Sequence, residues 1–122
     1  DPRILQRFFA SETGQRILRA DRVYREQRFT LLQKASVLPG GSEEDEILFQ
    51  GVVDCCFEED GELVVVDYKT DFVTPDTVRD KAQSYAVQVR SYANAMERIR
   101  EKPVKEGVLY FLRIGEAVQV YP

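Results

Sequence analysis

At 122 residues the chain has room for one domain around one hydrophobic core. Hydrophobic residues make up 43% and charged residues 31%, a globular balance that argues against overall disorder. Histidine is absent, which excludes Ser-His-Asp and Cys-His triads and any histidine-ligated metal within this chain. The two cysteines are neighbours, Cys55 and Cys56, a spacing that suits neither a stapling disulfide nor a four-cysteine zinc or iron–sulfur site. A reducing, intracellular compartment is therefore expected. The longest uniformly aliphatic run, Leu63 to Val66, is far too short to span a bilayer, and no signal-peptide pattern opens the chain.

The net charge of −4 hides an asymmetry. Residues 1–34 carry eight basic and four acidic side chains, residues 35–80 two and thirteen, and residues 81–122 seven and four. The global balance is not that of a nucleic-acid-binding chain. Locally it is an acidic centre between two basic ends, a pattern that solvated surface charge explains equally well.

Asp1-Pro2 reads as an N-cap followed by proline at the first helical position. Ile4, Leu5, Phe8 and Phe9 then share a helical stripe, and a second short helical piece holds Ile17 and Leu18. Val23 to Leu32, rich in β-branched and aromatic residues, predicts a strand. Residues 34–46, with Pro-Gly-Gly and an acidic run, predict an internal loop. Ile47 to Phe57 and Leu63 to Lys69 predict two strands joined by a tight turn at Asp60-Gly61. From Asp80 to Arg100 the period is helical, with Tyr85, Val89, Tyr92, Met96 and Ile99 on the stripe that faces the sheet. Pro103 ends this helix. Strands are predicted at Val108 to Ile114 and Ala117 to Val120. The order implies an α/β domain around a mixed sheet.

A two-residue turn at Asp60-Gly61 makes facing residues sum to 121. Asp54 then lies opposite Asp67, and Lys69, two residues on, projects from the same face. The flanking residues are apolar on both faces, as in central strands covered on both sides. Opposed like charges destabilise a sheet, and two carboxylates about 5 Å apart repel by roughly 3 kcal/mol at an effective dielectric near 20. A divalent cation removes that penalty. Oxygen ligands without imidazole or thiolate point to Mg²⁺, with Mn²⁺ as a substitute, rather than zinc. Lys69 would then stabilise charge on a phosphate or orient the attacking water. The acid-x-Lys spacing alone is uninformative, since about 0.9 such pairs are expected by chance in this composition, and a plain Asp67–Lys69 ion pair is the competing explanation. The second aspartate in register, the apolar strands and the helix that follows carry the metal-site reading.

These residues resemble a known family. Gly51-Val-Val-Asp54, Val66-Asp67-Tyr68-Lys69-Thr70-Asp71 and Gln88-Val-Arg-Ser-Tyr92 look like the RecB-type branch of the PD-(D/E)XK nucleases, in particular its AddA-type nuclease domains from bacterial helicase–nucleases. The resemblance runs from about Glu26 to Tyr110. It implies a restriction-endonuclease-like αβββαβ core with a mixed central sheet and Mg²⁺-dependent cleavage of DNA phosphodiesters. It implies metal ligation by Asp54, Asp67 and the Tyr68 carbonyl, assistance by Lys69, and a site-facing pair at Gln88 and Tyr92. Glu26 resembles an E-x-x-F segment of the family, although a solvated strand residue explains it as well. The implied partners are DNA and an AddB-type subunit, in the bacterial cytoplasm at the nucleoid. Such nucleases usually carry a histidine ligand on an upstream helix. The expectation is therefore that residues 1–122 are the nuclease domain, cut from a longer helicase–nuclease, without that first helix and inactive in isolation. The absence of four spaced cysteines sets the chain apart from the iron–sulfur relatives. The alternative function is a catalytically silent nuclease-like module that binds DNA or a partner subunit.

Overall fold

A computed structural model describes every residue from Asp1 to Pro122. Two helices lead: α1 (Pro2–Ala10) and α2 (Glu12–Arg19). The Asp1 carboxylate caps α1 by accepting from the Arg3 N–H at 3.0 Å, and Ser11 caps α2 by accepting from the Gly14 N–H. Strands β1 (Arg22–Lys34), β2 (Glu46–Glu59) and β3 (Glu62–Lys69) follow, then α3 (Val78–Gln83), α4 (Ala86–Arg100), β4 (Val104–Phe111) and β5 (Glu116–Tyr121). The leading helical layer and the three-strand, helix, strand succession reproduce the expected α/β core with a mixed sheet. The strands lie in the order β1-β2-β3-β4-β5, antiparallel throughout except for the β3–β4 pair, which is parallel and bridged by α3 and α4. A parallel pair needs such a crossover.

The β2–β3 hairpin has the register that the Asp60-Gly61 turn dictates. Asp60 and Gly61 both take positive φ, 54° and 80°, as a type I′ turn requires, and Cys55 pairs with Val66, Cys56 with Val65 and Phe57 with Val64. The central strands are covered on both faces. Cys55, Phe57, Val64 and Val66 pack with Phe8, Ile17 and Tyr110 under α1 and α2, whereas Val53, Cys56, Leu63 and Val65 pack under α4 with Tyr92, Ala93 and Met96. The adjacent cysteines thus face opposite layers as free thiols, and burial pushes that of Cys56 up to about 12. At the hairpin end, Arg16 of α2 reaches Glu59 at 2.8 Å and Glu106 at 2.9 Å, a forked contact that ties the first helical layer to β2 and β4.

Two boundaries differ from expectation. The single helix predicted from Asp80 is two, broken at Ser84 and Tyr85, where no glycine or proline announces a break. Tyr85 leaves the helical path (φ −101°, ψ 1°) while its hydroxyl donates to Asp71 at 2.7 Å. The tertiary hydrogen bond outweighs helix propensity there. Strand β4 begins four residues earlier than predicted, directly after Pro103, because its parallel pairing follows β3 from Leu63 to Lys69; Leu112 to Ile114 form the turn into β5.

Gly14 sets how closely α1 and α2 approach. A β-carbon there would lie 2.1 Å from the Phe8 carbonyl oxygen and 2.7 Å from the Phe9 Cα. Alanine normally favours a helix over glycine by about 1 kcal/mol, but here the clash is with backbone. Gly14→Ala is expected to destabilise the chain by about 2 kcal/mol, seen as a lower urea midpoint by circular dichroism. An unchanged or higher midpoint would refute this account of the α1–α2 packing.

Candidate active site

The β2–β3 ladder ends at Cys55–Val66, one residue short of the two aspartates. There the Asp54 carboxylate replaces the missing backbone partner and accepts the Tyr68 N–H at 2.9 Å. A kink in β2 allows this. Val53 packs with Cys56 under α4 although strict alternation would put it with Cys55 and Phe57. Strand β1 breaks its alternation at the same level, where Glu26 has φ 50°. Arg25 pairs with Cys55 and Gln27 with Val53, so Glu26 and Asp54 face each other as the unpaired row between them. The Glu26 side chain is exposed.

Asp67 is 4% exposed and stands beside Asp54. Burial, and then the neighbouring Asp54 carboxyl, push its pKa up to about 6, against the opposing pull of Lys69. The Lys69 ammonium lies 2.9 Å from Asp67 Oδ2, yet at an angle outside hydrogen-bond geometry, so this buried oxygen has no hydrogen-bond partner. Lys69 itself is held on two other sides. It donates to Gln88 Oε1 at 2.9 Å and sits 3.9 Å above the centre of the Tyr85 ring.

The structure thus gathers every residue expected at the site. Asp54, Asp67 and Lys69 converge on the α4 side of the sheet, and α4 contributes Gln88 and Tyr92. Tyr92 is 9% exposed and packs edge-on against Phe29, with ring centres 5.7 Å apart. Burial, followed by the charges of Asp67 and Asp54, pushes its phenol up to about 12, so it serves core and site together. Gly51 makes room for this pair: a β-carbon there would meet the Phe29 ring at 3.0 Å and Tyr92 at 3.3 Å. The Tyr68 side chain points to the opposite face, edge-on to Phe8, while its N–H points at Asp54. In a strand a residue's carbonyl shares that side, so the Tyr68 carbonyl also faces the gap between β2 and β3.

Two contributors were not singled out from the sequence. Tyr85 supports Lys69 through its ring, and Asp71 holds the Tyr85 hydroxyl while also pairing with Lys81 at 3.5 Å. The 85, 88, 92 spacing, one helical face in three steps, is the signal that could have pointed to Tyr85.

The donor set suits a hard cation. It is all oxygen, two carboxylates and a carbonyl, with a buried carboxylate oxygen left unpaired. No third Asp, Glu, His or Cys joins the two aspartates. That matches an ion such as Mg²⁺, which retains several waters and uses few protein ligands.

The chain is matched from residue 3 to residue 120 by the family model of the PD-(D/E)XK nuclease superfamily. It is 44% identical over 115 residues to the AddA-type ATP-dependent helicase/nuclease of Alkaliphilus metalliredigens, covering 92% of this chain and 10% of that protein. It is 45% identical over 121 residues to the protein of the same name from Carboxydothermus hydrogenoformans, covering 95% and 10%. The Syntrophomonas wolfei protein of that name is 38% identical over 115 residues, covering 93% and 9%. The chain thus spans about a tenth of the length of these relatives. The match to the family model takes in nearly every residue described above, and on it the chain belongs to the PD-(D/E)XK nuclease superfamily.

Proposed function

We propose that residues 1–122 are the nuclease domain of a bacterial AddA-type helicase–nuclease and hydrolyse DNA phosphodiester bonds with Mg²⁺, or with Mn²⁺ in its place. The observation that carries this reading is the meeting of Asp54 and Asp67 beside Lys69 with a buried carboxylate oxygen unpaired. The names of the relatives support the helicase–nuclease setting. In that setting the domain works in the cytoplasm with an AddB-type partner, as an exonuclease that processes broken DNA ends for repair and recombination. No helix of the chain is long and apolar enough to cross a membrane.

Asp54, Asp67 and the Tyr68 carbonyl would hold the cation. Bound there, it would supply Lewis-acid polarisation of the phosphate and a water of lowered pKa. The chain's own residues do the rest. Lys69 offers a fixed positive charge to the oxygens of the phosphate as charge develops, and Gln88 and the Tyr85 ring keep its ammonium from collapsing fully onto Asp67. Tyr92 and Phe29 close the floor beneath the carboxylates and keep bulk water from one side.

Calorimetric titration with Mn²⁺ tests the assignment. The wild-type chain is expected to bind, and Asp54→Ala and Asp67→Ala are expected not to. Lys69→Ala should retain binding but lower DNA cleavage by the full-length protein about 100-fold or more. A folded wild type that binds no Mn²⁺, or variants that bind like it, would favour the silent DNA- or partner-binding module instead.

The raised pKa of Asp67 makes a separate prediction. Its folded pKa, about 6, exceeds the ordinary carboxyl value of roughly 4. The protonated form therefore favours folding below about pH 4, and that stabilisation is lost as pH rises through 6. In EDTA, Asp67→Asn is expected to be more stable than wild type at pH 7.5, by on the order of 2 kcal/mol, with the difference shrinking towards pH 4. Mn²⁺ competes with the same proton, so wild-type affinity should fall about tenfold per unit below pH 6. Parallel urea curves at both pH values check the first statement, and a pH-independent difference would contradict it.

A further inference from the structure

Phe72, three residues beyond Lys69, is 86% exposed, more than any other large apolar side chain. Leaving a phenylalanine in water forgoes about 1.5–3 kcal/mol, and nothing in the chain covers this ring except one cation. The Arg113 guanidinium lies 3.7 Å from the ring centre. Arg113 is itself fixed: its Nε donates to the Thr70 carbonyl at 2.6 Å, and Arg7 donates to the carbonyls of Leu112 at 2.7 Å and Arg113 at 3.1 Å. The segment carrying Phe72 is equally tied down. Asp71 is held by Tyr85 and Lys81, and the Thr74 N–H donates to the Thr77 hydroxyl at 2.9 Å. One face of the ring is thus stacked by a cation and the other is presented to solvent by an anchored segment.

The surroundings decide what that open face suits. An apolar partner would need a contiguous apolar patch. The hollow beside Phe72 is instead lined mainly by Thr77, Asp80, Lys81 and Ser84, with Val73 as its other apolar residue. A flat ring amid polar groups, with arginines on one side, suits a planar base attached to a phosphate backbone that runs along the Arg113 and Arg7 side, away from Asp80. The distance also fits. Three residues span at most about 11 Å from Lys69, roughly three stacked nucleotides at 3.4 Å each.

We propose that Phe72, backed by Arg113, is a base-stacking residue that positions an unpaired nucleotide about three steps from the phosphate held at Asp54, Asp67 and Lys69. This rests on the nuclease reading of that site and adds to it a positioning contact. The base must be unpaired, because a duplex does not offer a base face to an outside ring.

The chain has no tryptophan, so Phe72→Trp places a single reporter on the platform. Titrated in EDTA with oligo(dT) of about ten nucleotides, its fluorescence is expected to be quenched saturably. By anisotropy with a labelled oligonucleotide, Phe72→Ala should weaken binding about 5- to 100-fold. Phe72→Leu, which restores apolar bulk without a π face, should weaken it similarly, whereas a purely packing role would be rescued by Leu. Arg113→Ala should weaken binding and lower the salt slope by about 0.7. An oligonucleotide that does not bind, that binds without quenching Trp at position 72, or that binds Phe72→Leu like wild type overturns the proposal. The nuclease reading fails separately: quenching without wild-type Mn²⁺ binding would sink that reading and keep the platform, and normal Mn²⁺ binding without quenching would do the reverse.

Discussion

The hydrogen bond from the Tyr68 N–H to the Asp54 carboxylate is the constraint on which the rest of the site turns. A sheet covered on both faces must satisfy every backbone N–H, and central strands ordinarily do so through the ladder. Here β2 and β3 separate after Cys55 and Val66, and a side chain takes the ladder's place. The substitution fixes the Asp54 carboxylate beside Asp67 and opens a gap between two otherwise tightly packed strands. It requires a kink, and the kink is visible as the lost alternation around Asp54 and the positive φ of Glu26 on the facing strand. Apolar packing on either side of that row, Cys55 and Phe57 against Phe8, Val53 against Phe29 and Tyr92, holds the two halves of the strand in their different facings.

Electrostatics and packing oppose each other at Asp67. Hydrophobic burial of β3 is nearly complete, since Leu63 to Val66 are all 0% exposed, and it carries Asp67 inside with them. A carboxylate there loses solvation, stands beside a second carboxylate, and has an oxygen without a hydrogen bond. Lys69 offsets this only partly, because Gln88 and the Tyr85 ring share its ammonium. Such an arrangement is poor as a structural ion pair, for which full pairing is the stable solution. It is well arranged for a group that must accept an additional positive charge.

Much of this was legible in the sequence because short-range rules governed it. Asp-Gly at a hairpin tip demands one turn type, and that turn sets the register that opposes Asp54 and Asp67. The caps at Asp1 and the stop at Pro103 are equally local. What escaped depends on contacts distant along the chain. The break at Tyr85 follows from its bond to Asp71, fourteen residues earlier, and no helix-breaking residue marks it. The early start of β4 follows from the length of β3, its parallel neighbour, and composition at Val104 to Gly107 does not announce it. The unpaired Glu26–Asp54 row keeps the pairing register unchanged on both sides, so a hydrophobic pattern reads straight across it.

The break at Tyr85 couples the backbone path to the electrostatics of the site. Had α3 and α4 been one helix, residue 85 would have followed the helical path and its ring would not be free to lie beneath Lys69 while its hydroxyl meets Asp71. The two contacts support each other. Asp71 holds the phenol, and the hydrogen bond raises the phenol's pKa, so the ring remains neutral and presents an undisturbed π face to the ammonium. The same Asp71 closes the segment that follows β3, so the placement of Lys69 and of the residues just beyond it derives from one carboxylate. Catalytic strand, helix break and following segment are therefore a single mechanical unit. A change at Asp71 would disturb Lys69 without touching it, through the ring of Tyr85.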